Sequence, residues 1–395
     1  MKKKVSVLCN GCPESRLDNT NLRDCITSNG YNVVSDYTIA DLIIFRACGL
    51  TELNADFSIE IIKNLSKNKK KESKIIVWGC LPKIDPNKLG VLKDDITIYE
   101  TESEILNNVF NIDDEFNNVY SNHPSEIYNY EGVKKKNFKG KIYDYLSNYF
   151  SIMNPNKKIY YIKIANGCMH SCTFCAIKKS RGKLKSYNED KILSQFKEGI
   201  EKGYKYFGLL GTDVGSYGKD KGSNIINLLN RMCDVEGDFK IGLRNFYPDD
   251  LITHFDELIP LFESGKIWFI VSSIQTGSER ILHKMGRKYD IEKFKHYVKY
   301  LNRNHPEIII RTQIIVGFPS ETDDDFKQSM KMLDEIYFDW VEVFMFSSRP
   351  GTLAASMADQ VSENSKKERA NKMMLKTFLQ KPMKKIVTYI KVRAQ

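Results

Sequence analysis

The stretch "ANGCMHSCTFCAIKKSRG", residues 165–182, sets Cys168, Cys172 and Cys175 in a C-x3-C-x2-C frame. It follows directly on "IYYIKIA" (159–165), a short apolar run of strand type. A closed structural zinc site takes four protein ligands, commonly as two separated pairs. Here three cysteines share one loop and no fourth follows nearby. His170 lies inside the loop and reads as a solvated histidine, with ligation the alternative. Three thiolates suit a 4Fe–4S cluster with one iron left open, and an open iron can bind a substrate or cofactor.

Working outward, the strand candidates after 159–165 are "YKYFGLLG" (204–211), "FKIGLR" (239–244), "IWFIVSSI" (267–274), "EIIIRTQIIVG" (307–317) and "VEVFMF" (341–346). Helical stretches separate them, among them residues 188–203 and 322–338. Six strands with intervening helices predict a partial parallel barrel, a closed eight-stranded one needing more chain. The first hundred residues show a second alternation. "KVSVLC" (4–9), "DLIIFRAC" (41–48), "KIIVWGC" (74–80) and "ITIYE" (96–100) read as strands, with helices over 17–30 and 55–68. That rhythm predicts a doubly wound parallel sheet. Cys48 and Cys80 end their strands and Cys12 lies just beyond the first. The carboxyl ends of such strands share one edge, where ligands bind, so the three cysteines converge. One strand-end cysteine is an ordinary buried small hydrophobe; three on one edge favour a metal site.

The fold expected is therefore α/β, a doubly wound parallel-sheet domain followed by a partial (β/α)6 barrel. The expected boundaries are 1–110 for the first domain, 111–155 for a connecting segment with some helix over 141–153, 156–350 for the barrel and 351–395 for a helical tail. A length of 395 residues suits two domains. Hydrophobic content of 42% with 28% charged residues excludes a disordered or membrane-embedded class. No run is long enough to span a bilayer and the start carries no signal peptide, so a reducing, cytoplasmic setting is expected. There nine cysteines read as ligands or buried thiols. The net charge of +10 permits a nucleic-acid or acidic partner, but it comes largely from dispersed lysines. The run "KNKKKESK" (67–74) reads as a solvated helix end.

The three-cysteine frame, with Phe174 before its last member, resembles the signature of the radical S-adenosylmethionine superfamily. The resemblance implies that the open iron chelates S-adenosylmethionine, whose reductive cleavage gives a 5′-deoxyadenosyl radical. "LLGTDVGSYG" (209–218), "SSIQTGSERILHKMGRKY" (272–289) and "IIVGFPSETDDDF" (314–326) stand where that superfamily places cofactor contacts. Gly211, Thr212, Asp213, Gln275, Ser278 and Gly317, with Phe174, are the cofactor-binding candidates it implies; Pro319 completes the turn at Gly317 and Glu321 caps or lines it. "GTD" departs from the usual Gly-Gly-Glu.

Nearly the whole chain is similar to the methylthiotransferase family within that superfamily. The carrying strings are "GCPESRLDN" (11–19), "ACGLTELNAD" (47–56), "WGCLPK" (78–83), "QTGSER" (275–280), "VGFPSETDDDF" (316–326) and "SSRPGTLAASMADQV" (347–361). The resemblance implies two 4Fe–4S clusters, one on Cys168, Cys172 and Cys175 and an auxiliary one on Cys12, Cys48 and Cys80 that carries the sulfur. Cys9, Cys25 and Cys233 match no ligand and are expected to be structural. The implied reaction replaces C–H by C–SCH3, fed by a flavodoxin- or ferredoxin-type electron donor, with no membrane partner. Family branches modify a tRNA adenosine (position 37) or an aspartate of a small ribosomal protein, and normally end in a TRAM domain, for which the tail has no room. "GCPESRLDN", "ACGLTELNAD" and "FYPDD" (246–250) look closer to the protein-modifying branch and "QTGSER" and "SSRPGT" to the tRNA branch; with the short tail this favours a polypeptide substrate, a small protein or ribosomally made peptide, and tRNA is the alternative. A cluster used only as an electron relay, and a non-catalytic iron–sulfur scaffold, are the readings from other classes.

Overall fold

The computed structural model describes residues 3–92, 94–112 and 158–393. The amino-terminal part is one five-stranded sheet built from β1 (Lys4–Cys9), β2 (Asn32–Val33), β3 (Leu42–Ala47), β4 (Lys74–Gly79) and β5 (Ile96–Ile98). All its pairings are parallel, in the order β2-β1-β3-β4-β5. β3 is buried at all six positions, which is what its unbroken apolar run requires of a strand covered on both faces. The chain reverses direction across the sheet between β1 and β3. In doubly wound folds this switch point opens the crevice where ligands bind.

Three helices leave the carboxyl edge. Helix α1 (Pro13–Ser28) starts at once after Cys12, four residues before the expected position, because Pro13 supplies a preset first-turn backbone. Helix α2 (Glu52–Asn68) is capped by Thr51, whose hydroxyl accepts the Asn54 N–H at 3.2 Å. Helix α3 (Cys80–Ile84) begins on the third cysteine itself. The two-residue edge strand β2 escaped the sequence reading because it is too short for periodicity. The 67–74 run straddles the end of α2 at Asn68 and the turn into β4.

The second sheet contains β6 (Ile159–Lys163), β9 (Tyr206–Leu210), β10 (Lys240–Leu243), β11 (Ile267–Val271), β12 (Ile309–Val316) and β13 (Trp340–Met345). Its order is β13-β12-β11-β10-β9-β6, again parallel throughout, with β6 and β13 at its edges among the described residues: a six-stranded open barrel. Between β6 and β9 a short antiparallel ladder joins β7 (Ala165–Asn166) to β8 (Lys185–Ser186) and closes the base of the cysteine loop. The barrel core holds Tyr160, Phe196, Phe207, Phe246, Phe262 and Phe294. The expected helix at 141–153, and most of the connecting segment, lie outside the described residues. The tail is helical over Glu363–Arg393.

Candidate functional site

The radical-type loop is held at both ends. Gly167 has φ +73°, and a Cβ there would lie 2.0 Å from the Lys183 carbonyl oxygen, so only glycine lets the loop's two arms meet. The Cys168 N–H then bonds the Gly182 carbonyl at 3.3 Å. In mid-loop the Thr173 N–H donates to the Met285 carbonyl at 3.0 Å, and the Thr173 carbonyl accepts the Ala354 N–H at 2.9 Å. Helix α4 (Ile177–Arg181) follows Cys175 and returns the chain to the ladder.

Burial pushes the Cys168 thiol up to about 12, with Asp213, Cys172 and Cys175 adding to it. Burial and Cys172 raise Cys175 as well. Arg287 places a buried cation at this site. Its buried side chain bonds Cys172 and the Ser273 carbonyl, the latter at 2.5 Å. It also lies 4.7 Å over the Tyr247 ring and 5.7 Å from that of Phe174.

His170 is not the solvated loop histidine expected. Its ring stacks on Tyr247 with centroids 3.7 Å apart, and Nε2 lies 2.9 Å from Asp213 Oδ2. Cys168 Sγ, His170 Nε2 and the Asp213 carboxylate all fall within 4.8 Å of one another. Sequence reading missed this because nothing in it places Tyr247, at the end of the third barrel strand, over the loop.

The other triad assembles at the switch-point edge. Burial pushes the Cys48 thiol up to about 12, and the neighbouring thiols of Cys80, Cys12 and Cys9 push in the same direction. Two glycines permit the approach. A Cβ on Gly49 would meet Leu81 Cα at 2.8 Å, and one on Gly79, at φ +101°, would meet Arg46 Cγ at 2.8 Å. Asn10 fixes the Cys48 turn: its Oδ1 accepts the Cys48 N–H at 2.9 Å and its Nδ2 donates to Ser58, whose hydroxyl bonds the Cys48 carbonyl. Cys9 is fully buried, and its sulfur accepts the Gly11 N–H at 3.1 Å.

Each set is three converging thiols, and burial raises Cys48 in one and Cys168 and Cys175 in the other, with the neighbouring sulfurs adding to it. Such a set is poorly suited to standing alone as thiolates, whereas bound iron deprotonates a coordinating thiol outright. The donor chemistry therefore fits a four-iron cluster held at three corners in each place.

The cofactor-binding candidates divide. Gly211, Thr212 and Asp213 line the loop after β9 beside Cys168: the Gly211 carbonyl accepts from Asn245, Thr212 Oγ1 lies 3.5 Å from Glu14 of α1, and Asp213 Oδ2 is 3.7 Å from Cys168 Sγ. Gln275 sits in the left-handed region at φ +72°, with its side-chain oxygen buried and unpartnered among the described residues. Phe174 packs edge-on to Phe318. Gly317 donates its N–H to Glu321 at 2.6 Å, and Arg369 of the tail helix reaches the same carboxylate at 2.8 Å. Ser278 is fully buried; it caps the helix Glu279–Lys284 and donates to Asp325 at 2.6 Å, so its hydroxyl is committed to packing.

The two triads adjoin. Helix α3, which starts on Cys80, packs against α4, which follows Cys175, and Lys179 Nζ bonds the Ile84 carbonyl at 3.3 Å. Between them Asp18 of α1 accepts from Lys163 and Arg181, both at 2.7 Å, and pairs with Arg46 at 2.8 Å. On the far side Arg349, almost wholly buried, reaches Glu52 at the start of α2, whose N–H bonds Ser347.

A family model described as the radical SAM superfamily matches residues 162–333, and one described as uncharacterized protein family UPF0004 matches residues 4–99. The chain is 33% identical over 353 residues, 89% of its own length and 79% of the relative's, to a probable threonylcarbamoyladenosine tRNA methylthiotransferase of Pyrococcus horikoshii. It is 32% identical over 375 residues, 94% of its length and 82% of the relative's, to the ribosomal protein uS12 methylthiotransferase RimO of Thermodesulfovibrio yellowstonii. Among solved structures, the radical S-adenosylmethionine methyltransferase TsrM of Kitasatospora setae shares the fold, with a TM-score of 0.60 at 12% identity over 90% of this chain and 75% of that one.

Proposed function

This chain belongs to the radical S-adenosylmethionine methylthiotransferase family, and from that premise we propose that it installs a methylthio group on a carbon of a polypeptide. Its cofactors are S-adenosylmethionine and two 4Fe–4S clusters. Cys168, Cys172 and Cys175 hold one cluster, and Cys12, Cys48 and Cys80 the other. When bound, these groups supply the hydrogen-abstracting radical chemistry, the methyl group and the sulfur. The protein's own residues place them. Gln275 offers its unpartnered side-chain oxygen to the bound S-adenosylmethionine, Gly211 to Asp213 border it beside Cys168, and Arg287 lies beside Phe174 of the same loop. Electrons come from a flavodoxin- or ferredoxin-type donor in the cytoplasm. Among the described residues no helix is long and apolar enough to cross a membrane.

The observation that carries the reaction class is the pair of thiol triads on abutting helices of two domains. The polypeptide reading draws support from the rim around them. Leu53, Leu353 and Met169 are 77%, 67% and 50% exposed, and each belongs to a segment that carries or bonds a cysteine loop. Three cations beside the thiols, Arg46, Arg181 and Arg287, have buried side chains already engaged with carboxylates, rings or carbonyls. An RNA-binding rim is built instead from cations free to meet phosphates. A tRNA adenosine is the second reading, favoured by the similarity to the Pyrococcus relative.

The test is anaerobic turnover with reductant and methyl-labelled S-adenosylmethionine, offering bulk tRNA and a low-mass polypeptide fraction separately, with mass spectrometry of each. Methylthio gain on peptide is expected. Gain on a nucleoside alone would overturn the substrate, and 5′-deoxyadenosine with no sulfur transfer to either would point to a cluster used only as an electron relay.

A further inference from the structure

The ion cluster between the two triads does not balance. Glu14 and Asp18 of α1 face Arg46 from β3, Lys163 from β6 and Arg181 from α4, and all five are buried or nearly so. Three cations against two carboxylates leave one positive charge in excess. An uncompensated buried charge is costly, so a structure that keeps one has an anionic neighbour to oppose it. Two details show where the excess lies. Arg46 spends one nitrogen on Asp18 and lies over the Trp78 ring at 4.2 Å, leaving Nε and Nη1 without hydrogen-bond partners among the described residues. Arg181 uses Nη1 on Asp18 and Glu14, and its Nη2 donates to Ser15 Oγ at 3.1 Å. Ser15 Oγ in turn lies 3.5 Å from Cys12 Sγ. Arg181 thus stands one hydroxyl away from the auxiliary triad, and against burial its proton affinity is raised by Glu14 and Asp18 and then by the Cys80 and Cys12 sulfurs.

Arg181 also belongs to the other site. It ends the helix that follows Cys175, and its carbonyl accepts from Asn166, two residues before Cys168. Its anchor Asp18 is shared with Lys163, at the end of the strand leading into the same loop. We infer that Arg181, clamped by Asp18 and relayed through Ser15, is a positioning residue that sets both the place and the reduction potential of the auxiliary cluster relative to the radical one. A cluster on three thiolates is net anionic, and a fixed cation beside it stabilises the reduced, more negative state. The rigid two-ended fork keeps the sulfur-bearing site in register with the loop on which the radical forms.

The inference rests on the reading of the two triads as cluster sites, and the test separates the two. The full chain is reconstituted anaerobically, iron is counted, and each cluster's midpoint potential is followed by electron paramagnetic resonance. Product methylthiolation per 5′-deoxyadenosine is measured alongside. The wild type should hold about eight irons, two four-iron clusters. Arg181→Gln should shift the auxiliary potential to more negative values and leave that of the radical cluster in place. Its yield of methylthio product per 5′-deoxyadenosine should fall about tenfold, as expected for a small misplacement of reacting groups. Arg181→Lys keeps the charge without the fork, so it should restore the potential but not the yield. Ser15→Ala leaves every charge in place and should shift the potential in the same direction as Arg181→Gln by a smaller amount, which decides the matter if Arg181→Gln fails to retain iron. Two clusters with potentials and yield unmoved in all three variants would overturn the inference alone. One cluster in the wild type would overturn the reading beneath it.

Discussion

The two thiol triads are built in opposite ways. Cys168, Cys172 and Cys175 lie within eight residues and owe their convergence to one loop, pinned by Gly167, Thr173 and the β7–β8 ladder. Cys12, Cys48 and Cys80 are spread over three strand ends and converge only because the sheet order puts β1, β3 and β4 side by side. The first site is a property of local sequence and the second of topology. Damage to the loop should therefore stay local, whereas damage to the sheet edge or to the helices that join the two sites should be felt across the domain boundary.

The largest effect is chemical. Cys168→Ala should abolish S-adenosylmethionine cleavage, read as loss of 5′-deoxyadenosine, and sulfur insertion with it. Cys48→Ala should spare that cleavage and stop methylthio transfer. Sulfur insertion surviving in Cys48→Ala would break the division of labour between the triads.

Next is the junction. Burial acts to raise the Asp18 carboxyl, but Lys163, Arg46 and Arg181 outweigh it and hold the group well below the usual carboxylate range. Asp18→Asn leaves three buried cations short of a partner and should cost about 3–5 kcal/mol, measured by denaturant unfolding. Because the folded-state value is depressed, the stabilisation from Asp18 is complete above about pH 5 and declines as pH falls below about 4, the unfolded value. The gap between wild type and variant should narrow over that acid range. A gap that widened would mean that the junction is not held by this carboxylate.

A smaller pair of substitutions compares the sites directly. Gly167→Ala combines a left-handed backbone with a collision against the Lys183 carbonyl, while Gly49→Ala meets Leu81 at ordinary backbone angles. Each should cost more than about 1 kcal/mol, Gly167→Ala the more. Iron analysis should show the first emptying the radical site and the second the auxiliary one. Loss of the same cluster in both would show that the two loops are not independent.

The same contrast explains what could be read from the chain. All six barrel strands and four of the five strands of the first sheet follow from apolar runs, since parallel strands buried on both faces leave such runs. The auxiliary triad was legible once those strands were placed, because strand ends share an edge. Not legible were the groups that act across the domain boundary. Asp18, Lys163 and Arg181 are ordinary charged residues in helix or strand positions, more than a hundred residues apart in the case of Asp18 and its two barrel partners. Tyr247 stacks on His170, and Arg287 on Tyr247, only after the third and fourth barrel loops fold together. Periodicity reports which face of an element is buried, not which charge it will meet there.

The smallest effect tests whether the caps behind the two sites differ in strength as their geometry implies. Thr51 begins α2 just after Cys48 and accepts a single N–H, that of Asn54. Thr322 begins the helix Asp323–Glu335 after the Gly317 turn with a full capping box: its hydroxyl accepts the Asp325 N–H, and the Asp325 carboxylate accepts the Thr322 N–H at 2.8 Å and its hydroxyl at 2.6 Å. That carboxylate also receives Ser278 and Arg280, so removing the Thr322 hydroxyl takes one donor from a buried, depressed acid as well as the acceptor of the Asp325 N–H. Both Thr→Ala changes fall within about 0.5–2 kcal/mol, Thr51→Ala near the low end and Thr322→Ala near the high end. In native-state hydrogen exchange, Thr51→Ala should speed the first-turn amides of α2 and leave those of Asp323–Glu335 unchanged, with Thr322→Ala doing the reverse. Equal losses, or exchange that spreads to both helices, would mean that the barrel's cofactor turn and the auxiliary edge are one cooperative unit, and that the contrast between a local site and a topological one ends at the sulfurs.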